Sequence, residues 1–166
     1  RSAAAVAASQ WRDVLDRLKL RMRISRPVSV RILTAIRTPA VVGWLRPILL
    51  MPAGVLVGLP AEQMEALLLH ELAHIRRHDY TVNVLQSVVE TLLFYHPVVW
   101  WISRDIRTVR ERCCDDVVVS ITGDVLTYAR ALAELESLRQ SFAPAVVPAA
   151  GNELANRIAR LAGIPE

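Results

Sequence analysis

From Pro60 onward the sequence is written almost without interruption in a helical period, and this limits the possible folds more than any other feature. Leu59-Pro-Ala-Glu-Gln opens the run with a proline and an acidic residue in the first turn, where both are favoured. The spacing predicts one helix from there to about His78 and a second over about 80–94. A third follows over about 98–120 and a fourth over about 124–141. The breaks have chemical causes. Pro97 cannot continue a helix and restrains His96 before it. Thr122-Gly123-Asp124 stops one helix and supplies an aspartate to cap the next. Residues 143–150, with two prolines, read as a loop, and 152–162 as a last short helix.

The first third differs. Residues Ala3 to Met22 carry an apolar stripe of Val6, Trp11, Val14, Leu15 and Leu18, which predicts a helix ended by Pro27. Val28 to Leu33 is β-branched and alternating, as a strand requires. Val41 to Met51 reads as a strand pair or bent strand around Gly43 to Pro47, and Pro52, Gly54, Gly58 and Pro60 as turns. Short connections favour antiparallel pairing. The expected fold is therefore α+β, a small mainly antiparallel sheet followed by four to five helices. A single domain is expected over 1–166: an N-terminal helix in 1–25, the sheet in 26–59, active-site helices in 60–142 and a C-terminal helix in 150–163.

The length of 166 residues suits one core. A hydrophobic share of 53% excludes disorder as the general state. Mean hydropathy of +0.31 is high, so either the helical core is large or apolar surface is covered by something else. No apolar stretch reaches the roughly 18–20 residues of a membrane span. The chain lacks an initiator Met and reads as a piece of a longer protein. Net charge is +4, carried almost wholly by arginine, and no nucleic-acid-binding motif accompanies it. Cys113 and Cys114 are neighbours, which makes no disulfide framework and points to a reducing compartment.

The chemistry centres on His70-Glu71-Leu72-Ala73-His74. Positions i and i+4 share a helix face, about 5–6 Å apart, so both imidazoles can hold one Zn²⁺ with bonds of about 2.0–2.1 Å. Glu71 lies about 100° round, near enough to deprotonate a water on the metal without binding the metal itself. A third ligand is needed. His78 is four residues on, but three imidazoles in line on one helix suit a tetrahedral centre poorly. Arg77 and Tyr80 stand where the metzincin pattern wants Gly and His. Glu111 lies 37 residues beyond His74, with Asp115 one turn later. A hairpin running about 22 Å out and about 21 Å back would return Glu111 to the metal helix. Asp115 could then orient a histidine through its other ring nitrogen. Spacing alone leaves a second reading open, an ordinary charged face beside Arg104, Arg107, Arg110 and Arg112. Cys114 is expected to pack beside the site. His96 is expected about 20 Å away, as a turn residue. Trp100 and Trp101 read as core or membrane-interface residues. Tyr80, Tyr128 and several arginines are candidate oxyanion donors.

The ordered set 70–80 (His-Glu-Leu-Ala-His-Ile-Arg-Arg-His-Asp-Tyr), 94–101 (Phe-Tyr-His-Pro-Val-Val-Trp-Trp) and 110–116 (Arg-Glu-Arg-Cys-Cys-Asp-Asp) resembles the BlaR/MecR family of integral-membrane metallopeptidases. Segments 128–133 and 156–163 share the likeness. The resemblance implies a zincin-like, gluzincin-type domain with Zn²⁺ held by His70, His74 and Glu111. In that reading Glu71 is the catalytic base and Asp115 an orienting carboxylate. It also implies a place on the cytoplasmic side of a bacterial inner membrane, anchored through flanking segments. The implied substrate is a polypeptide, either a transcriptional repressor or the protein itself. No penicillin-binding Ser-x-x-Lys set is present. The competing expectation is a non-catalytic zinc-containing module that binds a repressor or membrane partner, a role that would not need Glu71.

Overall fold

The computed structural model describes residues 3–36, 38–141 and 151–163. The helix α1 (Ala3–Arg21) leads into a three-stranded sheet of β1 (Ser29–Leu33), β2 (Ala40–Val42) and β3 (Ile48–Pro52). Six helices follow: α2 (Ala53–Gly58), α3 (Ala61–Arg77), α4 (Asp79–Leu92), α5 (Pro97–Thr122), α6 (Val125–Ser141) and α7 (Gly151–Leu161). The loop expected over 143–150 lies outside the described residues.

The sheet is mixed, which departs from the antiparallel expectation. Its order is β1-β3-β2. β2 pairs antiparallel with β3, Val41 opposite Leu49, as the tight turn through Gly43 requires. β1 pairs with β3 in parallel, Ser29 opposite Ile48. The short-connection argument holds for β2 and β3, which are neighbours in sequence. It fails for β1 because β2 lies between, and the longer excursion lets β1 take the opposite edge of β3. Gly43 has φ +95°, and a Cβ there would sit 3.0 Å from the Arg46 carbonyl oxygen, so this turn requires glycine.

A second departure is α2, where turns were expected. Pro52 supplies the entry conformation at φ −65°, and Val55 is buried in the core. Packing of Val55 outweighs the low helix propensity of Gly54 and Gly58.

The centre of the molecule is α3. Met64, Leu67, Leu68, Leu72 and Ala73 are buried on several sides of it, enclosed by α1, α5, α6 and the sheet. Trp11, Leu15, Leu18 and Met22 of α1 and Ala131 and Leu132 of α6 complete this core. Truncating a leucine such as Leu72 here should cost about 2–5 kcal/mol.

The chain changes direction after α3 in one residue. His78 adopts the left-handed conformation, φ 62° and ψ 33°, its N–H returning to α3 carbonyls while α4 begins at Asp79. α4 and α5 then form an antiparallel hairpin. Gln86 donates to the Ser103 carbonyl at 2.8 Å, Arg107 pairs with Glu90 at 2.7 Å, and Arg110 donates to Asn83. The hairpin thus carries residues 110–115 back to α3.

Candidate metal centre

Both histidines of the metal motif lie on the face of α3 that meets α5. Their Nε2 atoms are 3.1 Å apart. Glu111 of α5 faces the same point, with Oε2 at 3.4 Å from His70 Nε2 and Oε1 at 3.6 Å from His74 Nε2. A tetrahedral centre with bonds of about 2.0–2.1 Å separates its ligand atoms by roughly 3.3 Å, so the three separations fit one small cation.

The hydrogen bonds behind the rings decide what these nitrogens present. His74 Nδ1 lies 2.7 Å from Asp79 Oδ2 and can only donate to it. Tyr128 donates its hydroxyl proton to Asp115 Oδ1 at 2.6 Å, because an ionised carboxylate only accepts. The same hydroxyl oxygen then accepts from His70 Nδ1 at 2.8 Å. In the neutral ring, protonation of Nδ1 leaves Nε2 with its lone pair. Two lone pairs and a carboxylate therefore converge on one point, an arrangement that calls for a cation between them. The donor set fits zinc, which takes imidazole nitrogen and carboxylate oxygen in tetrahedral sites.

Asp115 is fully buried and lies 3.5 Å from His70 Nδ1 as well. Its charge is answered by Arg157 of α7, which donates from Nε at 3.0 Å and from Nη2 at 2.6 Å. Arg157 also reaches Glu111 Oε2 at 3.1 Å. Burial works against the Arg157 charge, but the Asp115 carboxylate more than offsets this and holds the guanidinium protonated. Burial raises the Glu111 carboxyl, yet the hydrogen bond and charge of His70 in its protonated form, with Arg157 and His74, outweigh it and bring it down to about 2. Glu111 is therefore ionised, as a ligand must be. For Glu71 the balance runs the other way: burial raises its carboxyl above the ordinary range, against the pull of His70 and His74. That shift moves it toward the range of a general base.

Cys114 is buried with Sγ 3.4 Å from His74 Nδ1 and 3.8 Å from Asp79 Oδ2, to which it can donate. Burial, with Asp79 beside it, pushes its thiol up, so it backs the site as a neutral thiol. Cys113 is only half-buried. His78 does not join the converging group; its ring lies against Arg26 on the wall of the same cleft as Glu71 and His74. His96 caps α5 at the far, exposed end of the hairpin. Of the candidate oxyanion donors, Tyr128 is committed behind His70. Tyr80 and Arg110 line a cleft of about 200 Å³ that also contains Glu71, His74 and Glu111, with Val41 of β2 on its wall.

Three residues of this arrangement were not anticipated in these roles: Asp79, Tyr128 and Arg157. Asp79 follows His74 by five residues, about 140° round a continuous helix. Only the left-handed turn at His78 folds it back onto His74. Arg157 lies 42 residues beyond Asp115, and nothing in its local sequence pairs the two.

The profile of the family described as BlaR1 peptidase M56 matches residues 1–161. The chain is 28% identical over 107 residues to the regulatory protein BlaR1 of Bacillus licheniformis, covering 63% of this chain and 18% of that protein. It is 27% identical over 86 residues to the methicillin resistance mecR1 proteins of Staphylococcus aureus and Staphylococcus epidermidis, covering 52% of this chain and 15% of those proteins. The chain thus spans less than a fifth of the length of these relatives. With the profile matching nearly the whole chain, this protein belongs to the BlaR1 peptidase M56 family.

Proposed function

We propose that this chain is the zinc-dependent endopeptidase domain, of gluzincin type, of a larger signalling protease. His70, His74 and Glu111 hold the metal, and Glu71 is the catalytic base. The observation that carries this reading is the convergence of two imidazole lone pairs and the Glu111 carboxylate within 3.1–3.6 Å of one another. Zinc, when bound there, supplies a Lewis acid for the scissile carbonyl and lowers the pKa of water.

The remaining work falls to the chain. Glu71, its proton affinity raised by burial, takes a proton from the attacking water and returns it to the leaving amine. Asp79 and the Tyr128–Asp115 pair keep both histidines in the tautomer that offers Nε2. β2 is an edge strand, and Val41 reaches the cleft, so an extended polypeptide can add along Ala40–Val42 and lie across the site. The proposed substrate is a transcriptional repressor or the protein's own chain. The proposed setting is the cytoplasmic side of a bacterial inner membrane, within a longer protein.

The test is zinc content and peptide hydrolysis in the wild type, Glu71→Gln and Glu111→Ala. Glu71→Gln should retain zinc and lose about 10²–10⁴-fold in hydrolysis. Glu111→Ala should lose both. Full activity in Glu71→Gln would refute the catalytic assignment. Zinc without hydrolysis in the wild type would favour a regulatory zinc module.

A further inference from the structure

The outer half of the α4–α5 hairpin has its polarity inverted. Among residues 84–106, the buried ones are Gln86 and Ser103, both polar and bonded to each other across the seam. Glu90 and Arg107 close the same seam as an ion pair. The exterior is apolar. On α4, Val84, Leu85, Val88, Val89 and Leu92 are exposed across an arc of about 140°. On α5, Trp101, Val98, Ile102 and Ile106 are exposed over an arc of similar width. A hairpin that lives in water buries its apolar side, whereas this one turns it outward.

The end of the hairpin is more extreme. Residues 91–103 contain no Asp, Glu, Lys or Arg. Leu92, Phe94, Tyr95 and Trp101 are 69%, 68%, 69% and 70% exposed. Arg104 and Asp105, both exposed, follow one turn below Trp101.

We propose that this tip inserts into one leaflet of a lipid bilayer, giving the chain a membrane contact of its own. Lipid is preferred to a protein partner because apolar side chains cover both outer faces and the end of the hairpin together. A partner docking on one side would leave the rest wet. Leu85 to Leu92 spans about 10 Å, the depth at which interfacial helices sit and short of the roughly 15 Å of one leaflet's hydrocarbon. Among the described residues, no helix is long and apolar enough to cross a membrane. Tyr95, Trp100 and Trp101 are the residue types favoured at the headgroup boundary. The Glu90–Arg107 pair neutralises two of the first charges met below the tip. Asp79, at the other end of α4, stands about 20 Å from Leu92, so insertion sets the height of the metal centre above the lipid.

The test is flotation of this chain with vesicles of phosphatidylglycerol and phosphatidylethanolamine. It is paired with tryptophan fluorescence in a Trp11→Phe/Trp44→Phe background, which leaves the two tip tryptophans as reporters. The chain should float, its emission should shift to the blue, and bromines in the acyl chains should quench it. Leu92→Ser/Phe94→Ser/Trp101→Ser should lower partitioning by about tenfold or more with an unchanged circular dichroism spectrum. Leu20→Ser/Leu126→Ser, which alters exposed apolar residues elsewhere, should float like the wild type. Three results would overturn the proposal: no flotation, no quenching by brominated chains, or equal losses in the two variants. A dimer in light scattering that ignores vesicles would assign the face to a second copy. Vesicle binding is read without reference to zinc or hydrolysis, so the two proposals fail separately.

Discussion

At the residue scale, the decisive groups stand behind the histidines. Asp79 and Tyr128 bond the two Nδ1 atoms, and this leaves both Nε2 lone pairs aimed at one point. Removing such a partner typically weakens metal binding by about 10–100-fold. Asp79→Ala should therefore raise the zinc Kd by about that factor, measured by competition with a chromophoric chelator. Tyr128→Phe should fall at the low end, because Asp115 Oδ1 is only 3.5 Å from the same His70 nitrogen and can take over as acceptor. An unchanged Kd in Asp79→Ala would mean that ring orientation is set by packing instead. The spacing of His70, Glu71 and His74 was legible because one helix fixes it. Glu111 was reachable through the hairpin estimate. Asp79 was not, since its approach depends on a single left-handed residue that no local pattern announces.

At the element scale, caps, breaks and the antiparallel β2–β3 pair were legible, and the pairing of β1 was not. Asp124 accepts from the Thr127 N–H at 2.9 Å, as the Thr-Gly-Asp sequence led one to expect. The Thr127 hydroxyl, with this backbone hydrogen bond, holds the Asp124 carboxyl below its ordinary value of 3.8. A depressed carboxylate stabilises the fold above its unfolded pKa and loses that effect as pH falls through the folded value. Asp124→Ala should thus lower the melting temperature at pH 7, and the gap from wild type should narrow as pH drops below about 3.8. A gap that persists at acid pH would assign the effect to something other than the cap. The parallel pairing of β1 was hidden because strand direction depends on which neighbour β3 accepts, a choice made in three dimensions. α2 was hidden because one buried valine outweighs two glycines.

At the scale of the whole molecule, α7 is tied to the candidate metal centre by arginines. Arg157 reaches Asp115 and Glu111, and Arg160 pairs with Asp116 at 2.8 Å and the Arg112 carbonyl at 3.1 Å. Arg157→Met would leave the fully buried Asp115 without its principal cation. Breaking such a pair costs about 3–5 kcal/mol. Chemical denaturation of the metal-free chain should read a loss of that size. A loss below about 1 kcal/mol would show that Tyr128 and Arg160, whose Nη2 lies 3.9 Å from Asp115 Oδ2, satisfy the carboxylate without Arg157. The high mean hydropathy also resolves at this scale into two sources: α3, enclosed in the core, and the outer hairpin, turned to the exterior.

By itself the sequence determined the order of the helices, their breaks, the histidine pair and its glutamate. Each of these follows from periodicity, from proline and glycine, or from spacing within one helix, all of them local. Only the tertiary structure decided the mixed sheet, the partners of the two ring nitrogens, the reach of Arg157 into the site and the inverted polarity of the hairpin. Each of those depends on contacts between residues far apart in the chain. There, direction and burial are set by packing, which a local pattern does not encode.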